Sequence, residues 1–480
     1  MAIINKKRTK IVATLGPATD TKEIIEEMME SGVNVFRINF SHADYSEVEK
    51  RVNIIREINE RKGYHVALLA DLQGPKLRVG VMQEGVVLNI GDVFTFTTEQ
   101  CEGTKEQAFM TYQNFPKDVE VGERILVDDG KLMFEVTATD RDTKVTTKVL
   151  RGGPLNSKKG VNLPNTNISV PALTEKDIQD ALFAIKEIKV DWIALSFVRT
   201  PEDLMQLQKL IADNSEYKIP IIAKIEKPEA VANIDKITAY CDALMVARGD
   251  LGVEIPMEQV PLIQKRLVAK AKKAHIPVII ATQMMETMIE NQVPTRAEVN
   301  DVANSIIDGA DAVMLSGETA MGKFPVGVIQ QMRRIIENVE NSPIIATPEV
   351  HAQCINERFI SKKICHQAAI MAESINAEVI TTLTATGFTA FHISSWRPEA
   401  NILVFSSNKR ILAMLNLLWG VKGVYYDKFV STDETIEDIN GLAAERGYLK
   451  EGDYAINITS TPVKARGMAN TIRITEYGKN

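Results

Sequence analysis

The sequence predicts a closed (β/α)8 barrel with an inserted all-β lid domain and a C-terminal α/β domain. Three observations point to it. Eight short apolar runs alternate with helix-like stretches, as β-α units in series do. One interval, between Asp71 and Trp192, instead alternates polar and apolar residues and carries turn signals. After about residue 345 a separate α/β pattern begins. A length of 480 residues suits about three domains. An open, doubly wound sheet is the architectural alternative for the eight units.

The eight expected strands are KIVAT (10–14), VNVFRI (33–38), HVALLAD (65–71), WIALSF (192–197), PIIAKI (220–225), ALMVAR (243–248), PVIIAT (277–282) and AVMLSG (312–317). Helical segments such as TKEIIEEMMESG and MEQVPLIQKRLVAKAKKA separate most of them. The interval after strand three reads as hairpins, GVVLNIGDVFTFTT and then RILVDDGKLMFEVTATDRDTKVTTKVL, with Asp129-Gly130 as a turn. The expected units are therefore a barrel over 1–72 and 169–345, an insert over 73–168, and a C-terminal unit over 346–480. The last unit should hold strands AEVITTL, NILVF, GVYY, YAINIT and NTIRIT.

Composition excludes several classes. The formal net charge of −7 argues against a broad nucleic-acid grip, which needs a basic surface. No run of about 18 apolar residues is present, so no membrane span is expected. Cys101, Cys241, Cys354 and Cys365 form no C-x-x-C pair, so neither a disulfide framework nor a zinc knuckle is expected. A cytoplasmic setting follows as the expectation.

In such a barrel the C-terminal strand ends build the active site. Strand two ends in Arg37-Ile38-Asn39-Phe40-Ser41-His42, strand three in Asp71, and strand five in Lys224-Ile225-Glu226. Strand six ends in Arg248-Gly249-Asp250, strand seven in Thr282, and strand eight in Ser316-Gly317-Glu318. Polar residues two apart share a face of an extended segment. Glu226 and Asp250 would offer two carboxylates to a hard cation, and Mg²⁺ takes one or two while leaving other positions to substrate and water. Lys224, Arg37 and Arg78 add positive charge, which suits an anionic substrate and above all a phosphoryl group. Ser157-Lys158-Lys159-Gly160 is a basic turn, and Thr384-Ala385-Thr386-Gly387-Phe388-Thr389 opens a helix after a strand. Met284, Met285 and Met288 read as packing residues, as do His65, His275, His351, His366 and His392.

The chain resembles the pyruvate kinase family over essentially its whole length. TKIVATLGPAT, VFRINFSH, ADLQGPKLRVG, SKKGVNLP, EKDIQDALFA, AKIEKPEA, MVARGDLGVEIP, ATQMMETMI, PTRAEVNDVANSIIDGADAVMLSGETAMGKFPV and SSWRPEANI carry the resemblance. It implies a TIM barrel with a β lid after strand three, and phosphoryl transfer from phosphoenolpyruvate to ADP, giving pyruvate and ATP. By the same resemblance, Glu226 and Asp250 match the Mg²⁺ ligands, with Mn²⁺ as a substitute. Lys224 matches the cation that stabilises the phosphoryl group in flight, and Arg37 a substrate-phosphate contact. Gly249, Asp250 and Thr282 match positions for the substrate carboxylate and enolate, with Thr282 linked to enolate protonation. Arg78 and Lys159 match nucleotide-phosphate contacts, with Asn39, Phe40, Ser41 and His42 nearby. A homotetramer is the family expectation.

Two departures from the familiar family pattern matter. Where many members bind K⁺, the ligands match Asn39, Ser41, Asp71 and the carbonyl of Leu72, and a Glu follows the Gly-Pro. Here Lys76 follows it, bringing its own ammonium, so K⁺ is expected not to be required. In the C-terminal unit Thr384, Thr386 and Thr389 match an effector turn, but Ala385 offers no cation and STPVKARGMANT lacks the usual glycine-rich form. A phosphorylated effector other than fructose 1,6-bisphosphate is expected. The competing readings are another Mg²⁺-dependent barrel that handles enolates, and a non-catalytic effector-binding homologue.

Overall fold

The computed structural model describes residues 7–164, 166, 168–342, 358–428, 431–460 and 468–479. Cys354, His351 and residues 461–467 of the expected effector loop lie outside these described residues. Eight parallel strands close into a barrel. They are Lys10–Thr14, Val35–Asn39, Ala67–Asp71, Trp192–Leu195, Ile221–Ile225, Ala243–Ala247, Val278–Ala281 and Ala312–Leu315. Strand one closes the barrel against strand eight, with Lys10 opposite Ala312.

The strands are apolar on both faces because both are covered. Ile11, Phe36, Leu68, Ile193, Leu244 and Val313 pack outward against the helix layer. Their neighbours Val12, Val35, Leu69, Ala194, Met245 and Met314 fill the barrel interior. The helices carry the start signals their sequences imply. Thr21 caps Lys22–Ser31 by accepting from the Ile24 N–H, and Asp44 caps Tyr45–Lys62.

The insert forms a six-stranded sheet whose longest pair is Leu132–Thr139 against Lys144–Arg151. The DDG turn before it holds Asp128, Asp129 and Gly130 at positive φ. The insert has its own aromatic core of Phe94, Phe96, Phe115 and Phe134. The C-terminal unit is a five-stranded sheet. Four strands, Val379–Leu383, Asn401–Ser406, Val421–Tyr425 and Tyr454–Thr459, are parallel, and Thr471–Glu476 adds an antiparallel edge.

The C-terminal unit seals the N-terminal end of the barrel. The barrel interior runs into its apolar side chains without a break, through Ala368, Ile393, Leu415 and Leu418. Polar groups stitch the seam. Trp192 Nε1 donates to the Met414 carbonyl at 3.0 Å, and Lys10 Nζ to the Val421 carbonyl at 2.7 Å. Arg397 pairs with Asp311 at 3.0 Å. The insert meets the opposite, C-terminal end of the barrel, where Asn162 Nδ2 donates to Glu254 Oε1 at 2.8 Å.

Histidines at this seam make it acid-sensitive. Burial pushes His65 down to about 4 and His392 down to about 3, each assisted by neighbouring cations. Both stay neutral in the fold at pH values where the unfolded chain protonates them. Their contribution is therefore complete above the ordinary histidine value near 6.5 and is lost as pH falls towards their folded values. At pH 5 the loss should be about 1–2 kcal/mol per histidine. Thermal unfolding followed from pH 7.5 to 5 should show a falling Tm, and His65→Gln should flatten the fall. An unchanged slope would remove His65 from this account.

Candidate active site

The C-terminal strand ends converge as the alternation requires. Asp71, 1% exposed at the end of strand three, is the centre of the cluster. Its Oδ2 accepts from Arg37 Nε at 2.6 Å, and its Oδ1 lies 3.2 Å from Lys224 Nζ. Lys224 Nζ also pairs with Glu226 Oε1 at 2.8 Å and donates to Ser196 Oγ at 2.6 Å. Ser196 Oγ in turn donates to the Leu72 carbonyl at 2.6 Å. Arg37 is fixed from its other side by Thr14 Oγ1 at 3.0 Å.

Charge sets the protonation states. Burial alone would lower the Lys224 ammonium, but the carboxylates of Asp71, Glu226 and Asp250 outweigh it and hold its pKa above the usual lysine value. Burial would raise Asp71, and Lys224 and Arg37 overcome it, keeping that carboxyl below its ordinary value. Glu226 goes the other way. Burial, with Asp250 adding like charge, pushes its carboxyl up against the pull of Lys224. A buried acid raised beside a second carboxylate is a site that a cation would relieve.

The resemblance seen in the sequence raises the question of a divalent metal, and the donor set fits one. Glu226 is buried, whereas Asp250 is exposed in the first turn of the helix Arg248–Glu254. Among the described residues no three His, Cys, Asp or Glu side chains gather as a complete metal cage. Two hard oxygen donors with open positions suit Mg²⁺, which keeps water and substrate oxygens as its other ligands. They do not suit a closed structural zinc site.

Strand seven ends in strain. Thr282 and Gln283 hold φ of +69° and +55°, unusual for a β-branched residue above all. Thr282 Oγ1 accepts from the Gly249 N–H at 2.7 Å and donates to the Ala281 carbonyl at 2.6 Å. A Cβ at Gly249 would sit 3.3 Å from that hydroxyl, so glycine leaves the contact unforced. The Arg248 guanidinium holds the bend, donating to the Thr282 carbonyl at 2.7 Å while pairing with Asp301 at 2.6 Å.

The expected nucleotide residues divide between barrel and insert. Asn39 Oδ1 accepts from the Ser41 N–H at 3.2 Å, closing the turn after strand two. Phe40 is fully buried, edge-on to Tyr45 and Phe183, so its side chain packs the turn and does not face the opening. His42 is exposed there, and its pKa is lowered by partial burial and by Lys76, Arg78 and Lys176. Lys159 stands on the insert, paired with Asp128 at 2.9 Å. Arg78 lies at the root of the insert, where it bridges to Gly160. Lys76 is exposed and lines a pocket of about 270 Å³ with Gln73, Thr174 and Lys176. The hinge at Gly74 has φ +70°, and a Cβ there would meet the Phe197 ring at 2.7 Å.

The other expected residues fall outside the cluster. Glu318 is buried and accepts from the Ser316 and Met285 N–H groups, so it braces a loop. Met284, Met285 and Met288 are fully buried packing residues. The Thr384–Thr389 turn belongs to the C-terminal unit. Thr384 Oγ1 accepts from the Gly387 N–H at 2.8 Å, Thr386 is exposed, and Thr389 is buried. Sequence reasoning missed Ser196 and Thr14, which stand at the ends of strands four and one. Both are single hydroxyls just where an apolar run stops, which is the one signal that could have found them.

The chain matches two family models, "Pyruvate kinase, barrel domain" over residues 6–329 and "Pyruvate kinase, alpha/beta domain" over residues 362–475. The chain belongs to the pyruvate kinase family. As a family member it is a phosphotransferase, from a family that needs a divalent metal. It is 40% identical to pyruvate kinase from Mycobacterium intracellulare over 475 residues, covering 99% of each chain. It is 41% identical to pyruvate kinase from Corynebacterium efficiens over 476 residues, again 99% of each. Against pyruvate kinase 2 of Synechocystis it is 41% identical over 98% of this chain and 79% of that protein. A crystal structure of a pyruvate kinase from Cryptosporidium parvum superposes with a TM-score of 0.90 at 32% identity, covering 98% and 96% of the two chains.

Proposed function

We propose that this chain transfers the phosphoryl group of phosphoenolpyruvate to ADP, giving pyruvate and ATP, with Mg²⁺ at Glu226 and Asp250. The observation that carries the reading is the cage around Lys224. Its ammonium is kept charged by three carboxylates at the C-terminal end of the barrel. Phosphoryl transfer asks for positioning and charge neutralisation more than for covalent chemistry. Lys224 faces the phosphoryl group in flight, and Arg37 grips its oxygens from strand two. When bound, Mg²⁺ supplies Lewis-acid neutralisation of phosphoryl and enolate oxygens. Gly249 and Asp250 begin a helix that faces the substrate carboxylate. Thr282 orients the water that protonates the enolate, because its own hydroxyl is a poor acid. Asn39, Ser41, His42, Arg78 and Lys159 receive the nucleotide phosphates, with the insert excluding water.

Several finer points belong to the same proposal. The unit boundaries are 72/73, 168/169 and 345/346; the separate sheets of barrel and insert support the first two, and the third lies outside the described residues. The enzyme works in the cytoplasm, supported by the free thiols of Cys101, Cys241 and Cys365. No helix of the described residues is long and apolar enough to cross a membrane. It assembles as a homotetramer, supported by exposed Leu262, Val293 and Met321 on the barrel, and sizing chromatography tests this.

A coupled assay of pyruvate formation should require phosphoenolpyruvate, ADP and Mg²⁺ together. Lys224→Met should cut kcat about a hundredfold or more with substrate binding largely kept, as a transition-state contact does. Asp250→Asn should abolish most activity. Near-normal kcat for Lys224→Met would remove its assigned role.

K⁺ is not required, in this reading, because Lys76 supplies a tethered cation beside Asn39, Ser41, Asp71 and Leu72. The Lys76 charge is felt at His42, next to Ser41 in the turn after strand two, which supports this. Turnover in buffer free of Na⁺ and K⁺ should match that with K⁺, and Lys76→Glu should create K⁺ dependence. A many-fold rise of wild-type turnover on adding K⁺ would sink the idea.

The C-terminal turn takes a phosphorylated effector, either a sugar monophosphate or a nucleoside monophosphate. Exposed Thr386 at the start of helix Phe388–Ser395 supports an anion there. Titration of such compounds should shift the phosphoenolpyruvate saturation curve, and Thr386→Val should reduce the shift. No shift from any of them refutes the site.

A further inference from the structure

Beyond the cage itself, a buried ion pair joins the two segments that carry its metal carboxylates. Lys227 directly follows Glu226, and Glu254 ends the helix that starts with Arg248, Gly249 and Asp250. Lys227 Nζ meets Glu254 Oε1 at 2.8 Å. Both side chains are buried, 5% and 1% exposed. The same Oε1 accepts from Asn162 Nδ2 of the insert at 2.8 Å. The second oxygen, Oε2, has no hydrogen-bond partner among the described residues. Their side chains pair with one another and not with those of Arg37, Asp71, Lys224 or Glu226.

A buried pair of this kind is costly to desolvate, and an apolar pair would serve packing as well or better. Its geometry gives it a different use. Strands five and six pair in register as far as Ile225 opposite Val246, and then the chains part. Beyond that point no backbone ladder fixes Glu226 relative to Asp250. The Lys227–Glu254 pair is the link that spans the gap. Asn162 adds a tie from the insert to the same oxygen.

We propose that Lys227 and Glu254 are positioning residues that set the spacing of Glu226 and Asp250, and so tune divalent-metal affinity, with Asn162 joining the insert to that setting. The proposal rests on the reading of Glu226 and Asp250 as metal ligands. Partners outside the ligand shell commonly change metal affinity about 10–100-fold when removed.

The test is direct Mn²⁺ binding, read as free Mn²⁺ by electron paramagnetic resonance without substrates. Lys227→Met should weaken Mn²⁺ binding about tenfold or more, and Lys227→Arg, which keeps the pair, should stay close to wild type. Asn162→Ala removes a neutral hydrogen bond on the same oxygen and should cost about twofold or less, well below the span for charged outer partners. Wild-type affinity in Lys227→Met overturns the proposal. So does an equal loss in Asn162→Ala, since packing would then hold the spacing. Should Lys227→Met fail to fold, the near-isosteric Glu254→Gln carries the same expectation and the same refutation. Asp250→Asn runs in parallel to separate the two readings. If it binds Mn²⁺ like wild type, the ligand assignment has failed. If it loses Mn²⁺ and Lys227→Met does not, only the positioning role has failed.

Discussion

One buried carboxylate makes the rest of the site possible. Arg37 and Lys224 stand close together in this site, and like charges in a low-dielectric pocket repel strongly. Asp71 lies between them and gives one oxygen to each. Its position is not adjustable, because it is the last residue of a barrel strand hydrogen-bonded on both sides. The two cations are therefore placed by the barrel and not by a loop. Glu226 and Asp250 then leave the set with two cations against three carboxylates. That balance keeps Lys224 charged and leaves the pair of carboxylates in want of a cation.

The two ends of the barrel do opposite work. At the N-terminal end, interior side chains merge with those of the C-terminal unit into one apolar mass. Polar groups there pair locally, as His275 Nδ1 does at 2.8 Å from Ser395 Oγ, although Arg397 Nε has no hydrogen-bond partner among the described residues. At the C-terminal end the apolar interior stops abruptly at a layer of charge. A rigid base lets that layer stay under-neutralised without spreading, since interiors packed at crystal density resist local expansion.

Much of this was legible in the sequence. Strand Lys10–Thr14 coincides with the apolar run KIVAT, and the other seven differ from their runs by only a few terminal residues. Apolar runs with punctuated ends leave little choice when both faces are buried. Lys224, Glu226, Arg37 and Asp71 were legible as polar residues at strand ends, and the structure joins them. What was not legible was the wiring. Nothing in the sequence said that Asp71 would serve two cations at once, or that Ser196 would link Lys224 to the Leu72 carbonyl. Those contacts span strands whose neighbourhood depends on barrel closure. The burial of the Phe40 ring was not legible either, because a residue inside a motif can turn its side chain into the core.

Strain is the remaining element, and part of it lies just past the barrel strands. Phe197, Thr282 and Gln283 all sit at positive φ just past strands four and seven. A non-glycine residue there costs about 1–2 kcal/mol, so something must hold it. For Phe197 the holder is Glu226, whose Oε2 accepts the Phe197 N–H at 2.8 Å. For Thr282 it is Arg248, whose carbonyl contacts and pairing with Asp301 need a planar fork. A lysine would offer a single point of charge there and could not span both. The residues that hold the strained turns are thus Glu226, a carboxylate of the charged cluster, and Arg248, the neighbour of Gly249. A pull on either side chain would be felt at the bend it holds, so the charged cluster and the backbone conformation at the strand ends are coupled through the same few side chains.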